Sequence, residues 1–250
     1  MSGHSKWHTI KHKKGALDAK RGKIFTRLIK EITIAAKTGG GGDPDGNPRL
    51  RTAIAAAKAE NMPADNIKRA IQRGTGELEG VMYDEIVYEG TGPGGTLFVV
   101  EALTDNKNRT VAEIRKVFEK NNGVLSSAGA AMWAFDRKGH ITLAKESATE
   151  DQLMEVAVVA GADDYADQGD EWLVTTPPAS LDLITKALEE AKIATKSGNL
   201  VYVPKTKKAV TGRDAEVCIQ LFEALDDHDD VQNAFADFDV SDEEIARIAG

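Results

Sequence analysis

Apolar residues recur at the spacing of an α-helix through the first third of the chain. From Gly15 to Lys37, the apolar positions fall within an arc of about 140° on a helical wheel, and the basic positions fall within about 80° elsewhere. The apolar set is Leu17, Ile24, Phe25, Leu28, Ile29, Ile32, Ala35 and Ala36. The basic set is Lys20, Lys23, Arg27 and Lys30. This pattern predicts one amphipathic helix with a buried face and a cationic face.

Two shorter helices are predicted after a glycine-rich break. Residues 38–47 contain five glycines and a proline, which indicates a loop rather than regular structure. Pro48 suits the first turn of a helix, and the alanine-rich run that follows continues it to Glu60. A third helix is predicted from Met62-Pro63 to Gly74. We expect these helices to form a basic helical domain over residues 1–80.

Beyond residue 80, strand patterns alternate with amphipathic helices. The predicted extended segments are Tyr83 to Glu89, Thr96 to Leu103, Met132 to Leu143 around a turn at Lys138-Gly139, Glu171 to Thr176, Asn199 to Val203 and Val231 to Phe238. The predicted helices are Arg109 to Asn121, Thr149 to Ala160, Ser180 to Ala194 and Asp214 to Leu225. These elements are too many for one small sheet, so we expect two α+β sandwich domains over about 170 residues.

The composition agrees with a folded globular protein. Of 250 residues, 41% are hydrophobic and 29% are charged, which is ordinary for a globular chain with a real core. The single cysteine, Cys218, excludes an intramolecular disulfide and any site with several thiolate ligands. The first ten residues are polar and basic, and no run of 18 apolar residues occurs. We therefore expect a cytoplasmic protein that contacts no membrane.

Charge is distributed very unevenly along the chain. Residues 1–80 carry 16 Lys and Arg against 8 Asp and Glu, whereas residues 81–250 carry 16 against 32. The overall net charge of −8 thus hides a basic head on an acidic body. A polyanion would be attracted to the head and repelled by the body, so nucleic acid is the partner that this asymmetry favours. The alternative is that head and body attract each other within the molecule.

The first fourteen residues have the composition of a nucleic-acid-binding arm. Lys6, Lys11, Lys13 and Lys14 surround one aromatic residue, Trp7, with few apolar residues to anchor the segment in a core. Lysines supply counter-charge for phosphates, and an indole ring can stack on an unpaired base. Three histidines spaced four residues apart, His4, His8 and His12, leave zinc or nickel binding as an alternative.

Other strings imitate catalytic or cofactor motifs. Gly90, Gly92 and Gly95 have dinucleotide-site spacing, but a strand rather than a helix is predicted to follow, so we interpret them as a hairpin loop. The acidic run Asp226, Asp227, His228, Asp229 and Asp230 could gather a hard cation, although a solvated turn is the commoner interpretation. No cluster pairs a nucleophile with a base. We therefore expect a non-enzymatic protein that needs no cofactor and no metal.

Several strings resemble the YebC/PmpR family. The strings are Gly3-His4-Ser5-Lys6-Trp7, Ile10-Lys11-His12-Lys13-Lys14, Asp18-Ala19-Lys20-Arg21-Gly22-Lys23-Ile24-Phe25, Asn47-Pro48-Arg49-Leu50-Arg51, Asn61-Met62-Pro63, Asn66-Ile67, Arg73-Gly74-Thr75-Gly76, Tyr88-Glu89-Gly90, Gly92-Pro93-Gly94-Gly95, Ala102-Leu103-Thr104-Asp105-Asn106, Asn108-Arg109-Thr110 and Asp230-Val231-Gln232-Asn233. Together they span about residues 2–240, and such dense matches are specific.

The resemblance implies an α+β protein of three domains, with the third inserted in the second. On this sequence the domains would be residues 1–80, residues 81–130 plus 205–240, and residues 131–204. The resemblance also implies a non-enzymatic regulator that binds DNA and controls transcription. The alternative that it implies is a ribosome-associated translation factor that binds ribosomal RNA and relieves stalling on proline-rich sequences. A third hypothesis, from another class, is an enzyme that acts on RNA or nucleotides.

The residues expected to contact nucleic acid are chosen chiefly for their charge. They are Lys6, Trp7, Lys11, Lys13, Lys14, Lys20, Arg21, Lys23, Arg27, Arg49 and Arg51.

Overall fold

A computed structural model describes residues 17–249 of the chain and the side chains of residues 22–248. The chain divides into two compact units. One unit contains the described residues through Phe135 together with those from Pro204 onward, and the other spans Asp136–Val203. Within residues 17–249, no helix is both long enough and apolar enough to cross a membrane.

Three helices begin the first unit. They are α1 (Leu17–Thr38), α2 (Pro48–Ala59) and α3 (Ala64–Thr75), close to the bounds that the apolar spacing predicts. Asn47 caps α2, since its side-chain oxygen accepts the Leu50 N–H at 3.0 Å. The side-chain nitrogen of Asn47 donates to the carbonyls of Ala35 and Gly41, which ties the glycine-rich loop to α1. The helices share a small core of Ile32, Ala35, Ala36, Leu50, Ala53, Ala57, Met62, Ile67 and Ala70.

The rest of the first unit is built around a four-stranded antiparallel sheet. Its strands are β1 (Asp84–Thr91), β2 (Leu97–Thr104), β3 (Val124–Ser126) and β9 (Val231–Ala236), in the order β3-β1-β2-β9. The helices α4 (Lys107–Lys120) and α7 (Gly212–Asp226) pack on this sheet. Phe98, Phe118 and Leu221 are fully buried in the core that they form. Two short strands, β8 (Lys208–Ala209) and β10 (Phe238–Asp239), pair in parallel, and α8 (Asp242–Ala249) follows them.

The second unit is a sheet with two helices. Its strands are β4 (Phe135–Ala144), β5 (Asp164–Asp167), β6 (Glu171–Thr176) and β7 (Ser197–Pro204), in the order β5-β6-β4-β7. Its helices are α5 (Glu150–Leu153), which continues as a π-helical turn over Met154–Val158, and α6 (Leu181–Glu190). The core is built from side chains of both helices and of strands β4 and β6, among them Leu153, Ile184, Leu188, Ile141 and Trp172.

This architecture confirms the predicted fold class. The protein is α+β, with helices at its start followed by two antiparallel sheets that carry helices. Phe98 precedes the second unit along the chain and Phe238 follows it, yet the two side chains share one core. The second unit is therefore inserted in the chain of the first. The division into domains at residues 1–80, 81–130 plus 205–240, and 131–204 stays a prediction.

One predicted turn is wrong. Strand β4 continues without interruption through Lys138 and Gly139 and pairs there with β6, where Gly139 is opposite Thr176. A Cβ atom at Gly139 would overlap the Thr176 hydroxyl and approach the Leu181 side chain to 3.1 Å. The glycine therefore permits close packing within a strand rather than a reversal of the chain. The sequence analysis also missed the short strands β3, β5 and β8 and the short helix α8.

The predicted hairpin loop at the glycine triplet is confirmed. Strands β1 and β2 pair antiparallel on either side of it, and the Gly92 N–H donates to the Thr96 carbonyl at 2.8 Å. A strand, not a helix, follows the loop, so the helix N-terminus that a dinucleotide pyrophosphate requires is absent from this position. Cys218 is fully buried in α7, as expected, and burial raises the pKa of its thiol to about 11.

Close packing between α1 and α3 generates a stability prediction. At Gly74, a Cβ atom would overlap the carbonyl oxygen of Thr33 and lie 2.7 Å from the Ala36 side chain. Gly74→Ala should therefore destabilise the protein by about 1–3 kcal/mol through overpacking, although alanine is the better helix former. The control is Gly22→Ala, because Gly22 is an exposed residue of α1 with nothing near the added atom. Chemical denaturation should show the control stabilised by about 0.5–1 kcal/mol, and equal effects would contradict the packing argument.

Candidate nucleic-acid interface

The cationic face of α1 lies against the acidic turn between α7 and β9. Lys23 Nζ lies 3.5 Å from Asp227 Oδ1, and Arg27 Nη1 lies 3.4 Å from Asp226 Oδ1. The Arg27 guanidinium also donates to the Asp226 backbone carbonyl. Residues four apart in a helix share one face, so both cations reach the same turn. The acidic run is thus an ion-pairing surface of the fold, rather than the solvated turn that the sequence suggested.

Lys30 is the buried cation on this face of α1. Its Nζ lies 2.8 Å from Asp230 Oδ1, and the two side chains are only 8% and 6% exposed. The same nitrogen donates to the backbone carbonyls of Leu103 at 3.2 Å and Asp229 at 3.0 Å. An ammonium group has three protons, so these three acceptors satisfy it. A buried charge is tolerated when it is paired and hydrogen-bonded in this way.

Asp230 is held from both sides. Its second oxygen, Oδ2, accepts from Arg109 Nη2 at 2.8 Å and from the Thr110 hydroxyl at 2.7 Å. Burial alone would raise the pKa of Asp230, but the hydrogen bonds from Lys30, Thr110 and Arg109 outweigh it and hold that pKa well below the ordinary value of a carboxyl. Asp230 therefore stays ionised and joins α1, α4 and the start of β9.

A metal site does not fit this turn well. Within the described residues, Glu113, His228 and Asp230 bring three ligand atoms within 4.8 Å of one another. His228 Nδ1, however, accepts the Asp230 N–H at 3.2 Å, and its Nε2 lies 3.2 Å from Glu113 Oε2. Both oxygens of Asp230 already accept from the cationic groups of Lys30 and Arg109. A divalent cation would have to displace Lys30 or Arg109 from Asp230. The cluster of Glu113, His228 and Asp230 is therefore better explained as part of an ion-pair network.

The two arginines predicted as contacts on α2 also bind groups of their own chain. Arg49 donates to both oxygens of Glu31, at 2.7 and 3.1 Å, and to Glu85 at 2.6 Å. Burial alone would lower the pKa of Arg49, but the two carboxylates raise it above its ordinary value. Arg51 Nη1 donates to the carbonyl of Pro44 at 2.9 Å and so braces the glycine-rich loop.

The predicted contact residues therefore fall into three groups. Lys6, Trp7, Lys11, Lys13 and Lys14 lie outside the described residues, as do the histidines proposed as an alternative metal site. Lys20 and Arg21 belong to α1, but their side chains are outside the described part of the chain. Lys23, Arg27, Arg49 and Arg51 contact acceptors of the same chain. Lys23, Arg27 and Arg49 reach Asp227, Asp226 and Glu85, so for these three cations the structure shows the attraction between head and body that the charge pattern left open.

Two cations that were not among the predicted contact residues are important here. Lys30 and Arg109 both pair with Asp230, although they are 200 and 121 residues away from it along the chain. The available signal was the spacing of Lys23, Arg27 and Lys30 on one helix face, matched by several acidic residues in one short turn. On α3, Lys68 and Arg69 are exposed and add positive charge to the surface of the helical bundle.

The buried pair leads to a prediction about acid stability. Asp230→Asn should leave Lys30 buried without its counter-ion and lower the free energy of unfolding by about 3–5 kcal/mol at neutral pH. Folding lowers the pKa of Asp230. Its ionised carboxylate therefore contributes to the free energy of unfolding at pH values above the unfolded-state pKa of about 3.9, and this contribution is lost as the pH falls below that value.

Urea denaturation at neutral pH and along a series of decreasing pH values measures both effects. The control is Asp227→Asn, since Asp227 is 65% exposed and its pair with Lys23 should contribute about 1 kcal/mol or less. If the two variants lost the same stability, Asp230 would not be the anchor that the contacts indicate.

Two family models together match most of the chain. A model described as the TACO1/YebC protein N-terminal domain matches residues 5–77, and one described as the TACO1/YebC second and third domain matches residues 83–238. The boundary between the two models falls between α3 and β1, where the helical bundle ends and the first sheet begins.

Similar proteins cover the full length of the chain. A probable transcriptional regulatory protein of Geobacter sulfurreducens is 55% identical over 99% of this chain and 100% of its own length. One of Acidobacterium capsulatum with the same description is 55% identical over the whole of both chains. The crystal structure of a conserved hypothetical protein from Aquifex aeolicus matches at a TM-score of 0.86 and 40% identity, over 93% of this chain and 96% of that one. The chain therefore belongs to the TACO1/YebC family.

Proposed function

We propose that this protein is a non-enzymatic regulator of gene expression that acts by binding nucleic acid, as a DNA-binding transcriptional regulator. The observation that carries the proposal is the full-length similarity to proteins named probable transcriptional regulatory proteins. The basic head supports it physically, because 16 Lys and Arg against 8 Asp and Glu in residues 1–80 favour a polyanionic partner.

The cations of the head divide into those that form ion pairs within the fold and those that precede them along the chain. Lys23, Arg27 and Lys30 hold α1 against the acidic turn, and Arg49 holds α2 against Glu31 and Glu85. We assign nucleic-acid binding to the residues that precede this paired face, namely Lys6, Trp7, Lys11, Lys13, Lys14, Lys20 and Arg21. Loss of a paired cation should mainly affect folding, whereas loss of a preceding one should mainly affect affinity.

The residue types in this segment favour affinity over sequence reading. Five of its six cations are lysines, which contact phosphate as point charges but read guanine less well than the forked arginine side chain does. This feature supports the alternative function, a translation factor that binds ribosomal RNA and relieves stalling on proline-rich sequences. Both functions use the same charged segment, and they differ in the nucleic acid that it contacts.

Salt dependence provides the test of nucleic-acid binding. Replacing Lys11, Lys13 and Lys14 with alanine should weaken binding to unrelated sequences and reduce the log–log salt slope by about 0.7–0.9 for each phosphate that is no longer neutralised. Fluorescence anisotropy of a labelled oligonucleotide, with the full-length protein at several salt concentrations, measures both quantities. The charge-matched control removes Arg115, Lys116 and Lys120, which are exposed on α4. An equal loss in both triple variants would mean that only net charge matters, and no loss in either would contradict the proposal.

The choice between the two functions needs a different measurement. A transcriptional regulator should prefer its operator duplex over random DNA by about a thousandfold or more. A ribosome-binding factor should instead sediment with ribosomes at low salt and dissociate as salt increases. Co-sedimentation without such a duplex preference would replace the transcriptional proposal by the translational one.

A further inference from the structure

An exposed tryptophan lies in the first unit, far along the chain from the basic head. Trp133 belongs to a single helical turn, Met132–Ala134, directly before β4, and it is 67% exposed. The other tryptophan of the described chain, Trp172, is 6% exposed and packs in a core. Single exposed apolar residues are common on protein surfaces, so a role for this one depends on how the ring is held and on the charge beside it.

The loop that carries Trp133 is firmly held. The carboxylate of Glu89, in β1, accepts the backbone N–H groups of Gly129, Ala131 and Met132 at 2.6–2.7 Å. Burial alone would raise the pKa of Glu89, but these three donors lower it, so the carboxylate remains an ionised acceptor. The Trp133 indole N–H donates to the carbonyl of Ala130 at 3.0 Å. The ring is thus oriented before any partner binds, although most of it is exposed.

Three lysines follow the return of the chain to this unit. Lys205 contacts the tryptophan turn directly. Its Nζ donates to the Trp133 carbonyl at 2.8 Å, and its backbone N–H donates to the Ala134 carbonyl at 2.9 Å. Lys207 and Lys208 come next, and all three side chains are exposed. Residues 81–250 carry 32 acidic against 16 basic residues, so three cations within four positions are a local exception. Positive charge beside an exposed aromatic ring is the arrangement that single-stranded nucleic acid requires.

We propose that Trp133, Lys205 and Lys207 form a second nucleic-acid contact, which binds a single-stranded segment by stacking a base on the indole and placing phosphates near the lysines. This inference rests on the proposed function, since it assumes that the protein binds nucleic acid. A protein partner fits less well, because an exposed lysine cluster is unusual at the centre of a protein–protein interface. Lys208 is left out because its Nζ donates to the Gly95 carbonyl, in the loop between β1 and β2, whereas the Nζ of Lys205 donates to the tryptophan turn itself.

The test titrates the full-length protein with unstructured oligo(U) and oligo(dT) strands. Trp133→Ala should weaken binding about 5- to 150-fold, the range that loss of one base–aromatic stack produces. Trp133→Phe should retain most of the affinity, because a phenyl ring can still stack. The matched control is Leu183→Ala, which truncates an apolar side chain that is 60% exposed in the other unit and should change nothing.

A second pair of variants tests the lysines. Lys205→Ala with Lys207→Ala should weaken binding more than Lys116→Ala with Lys120→Ala, which removes the same charge from α4. Quenching of tryptophan fluorescence by the strand should persist in Trp7→Phe and fall in Trp133→Phe. The oligo(U) and oligo(dT) arms show whether the site prefers ribose or deoxyribose strands. Thermal melting of each variant separates weakened binding from impaired folding.

The outcomes separate this inference from the proposed function. If the wild-type protein binds neither strand and no duplex, the proposed function itself fails. If the wild type binds but Trp133→Ala binds equally well and shows the same quenching, the second contact is wrong and the indole is better explained as a protein-docking residue. Loss of affinity in Trp133→Ala and in the Lys205/Lys207 variant, with both controls unchanged, supports the second contact.

Discussion

The buried ion pair between Lys30 and Asp230 is the constraint on which the first unit depends. Lys30 is in the middle of α1, and Asp230 directly precedes β9, the strand that pairs with β2. With Leu103 and Asp229 as further acceptors, the pair joins the helical bundle to the edge of the sheet. Separating the two side chains would leave each charge buried without its counter-ion, which is strongly unfavourable. The pair therefore fixes the position of α1 against the turn.

This pair and its neighbours on α1 show one use of the opposite charges of head and body. Three cations of α1, Lys23, Arg27 and Lys30, pair with aspartates that are 199 to 204 residues away along the chain. They hold the helix in place within the fold. Under the proposed function, a polyanion would instead contact the residues before Gly22 and exposed lysines elsewhere. Net charge alone cannot distinguish these two uses, whereas the ion-pair geometry can.

Much of the fold could be predicted from the sequence because it is encoded locally. The spacing of apolar residues predicted α1, α2 and α3, and the glycines near residue 92 predicted the hairpin, since both depend on neighbouring residues. The turn at Gly139 was wrong because that glycine serves packing against Thr176 and Leu181, which are distant in sequence. The same limit applies to the site: the face bearing Lys30 and the acidic run containing Asp230 were both recognised, but they are 200 residues apart and no local pattern pairs them.

The most direct test of this account is hydrogen–deuterium exchange of the full-length protein, measured with and without a saturating oligonucleotide. The account predicts slower exchange in the residues before Gly22 when the strand binds, and unchanged exchange in the turn at residues 226–230. That turn should keep its ion pairs with α1 because the nucleic acid does not compete for them. Faster exchange at residues 226–230 in the bound state would show that the ligand removes Lys23 and Arg27 from their aspartates, which would contradict the separation of the two sets of cations.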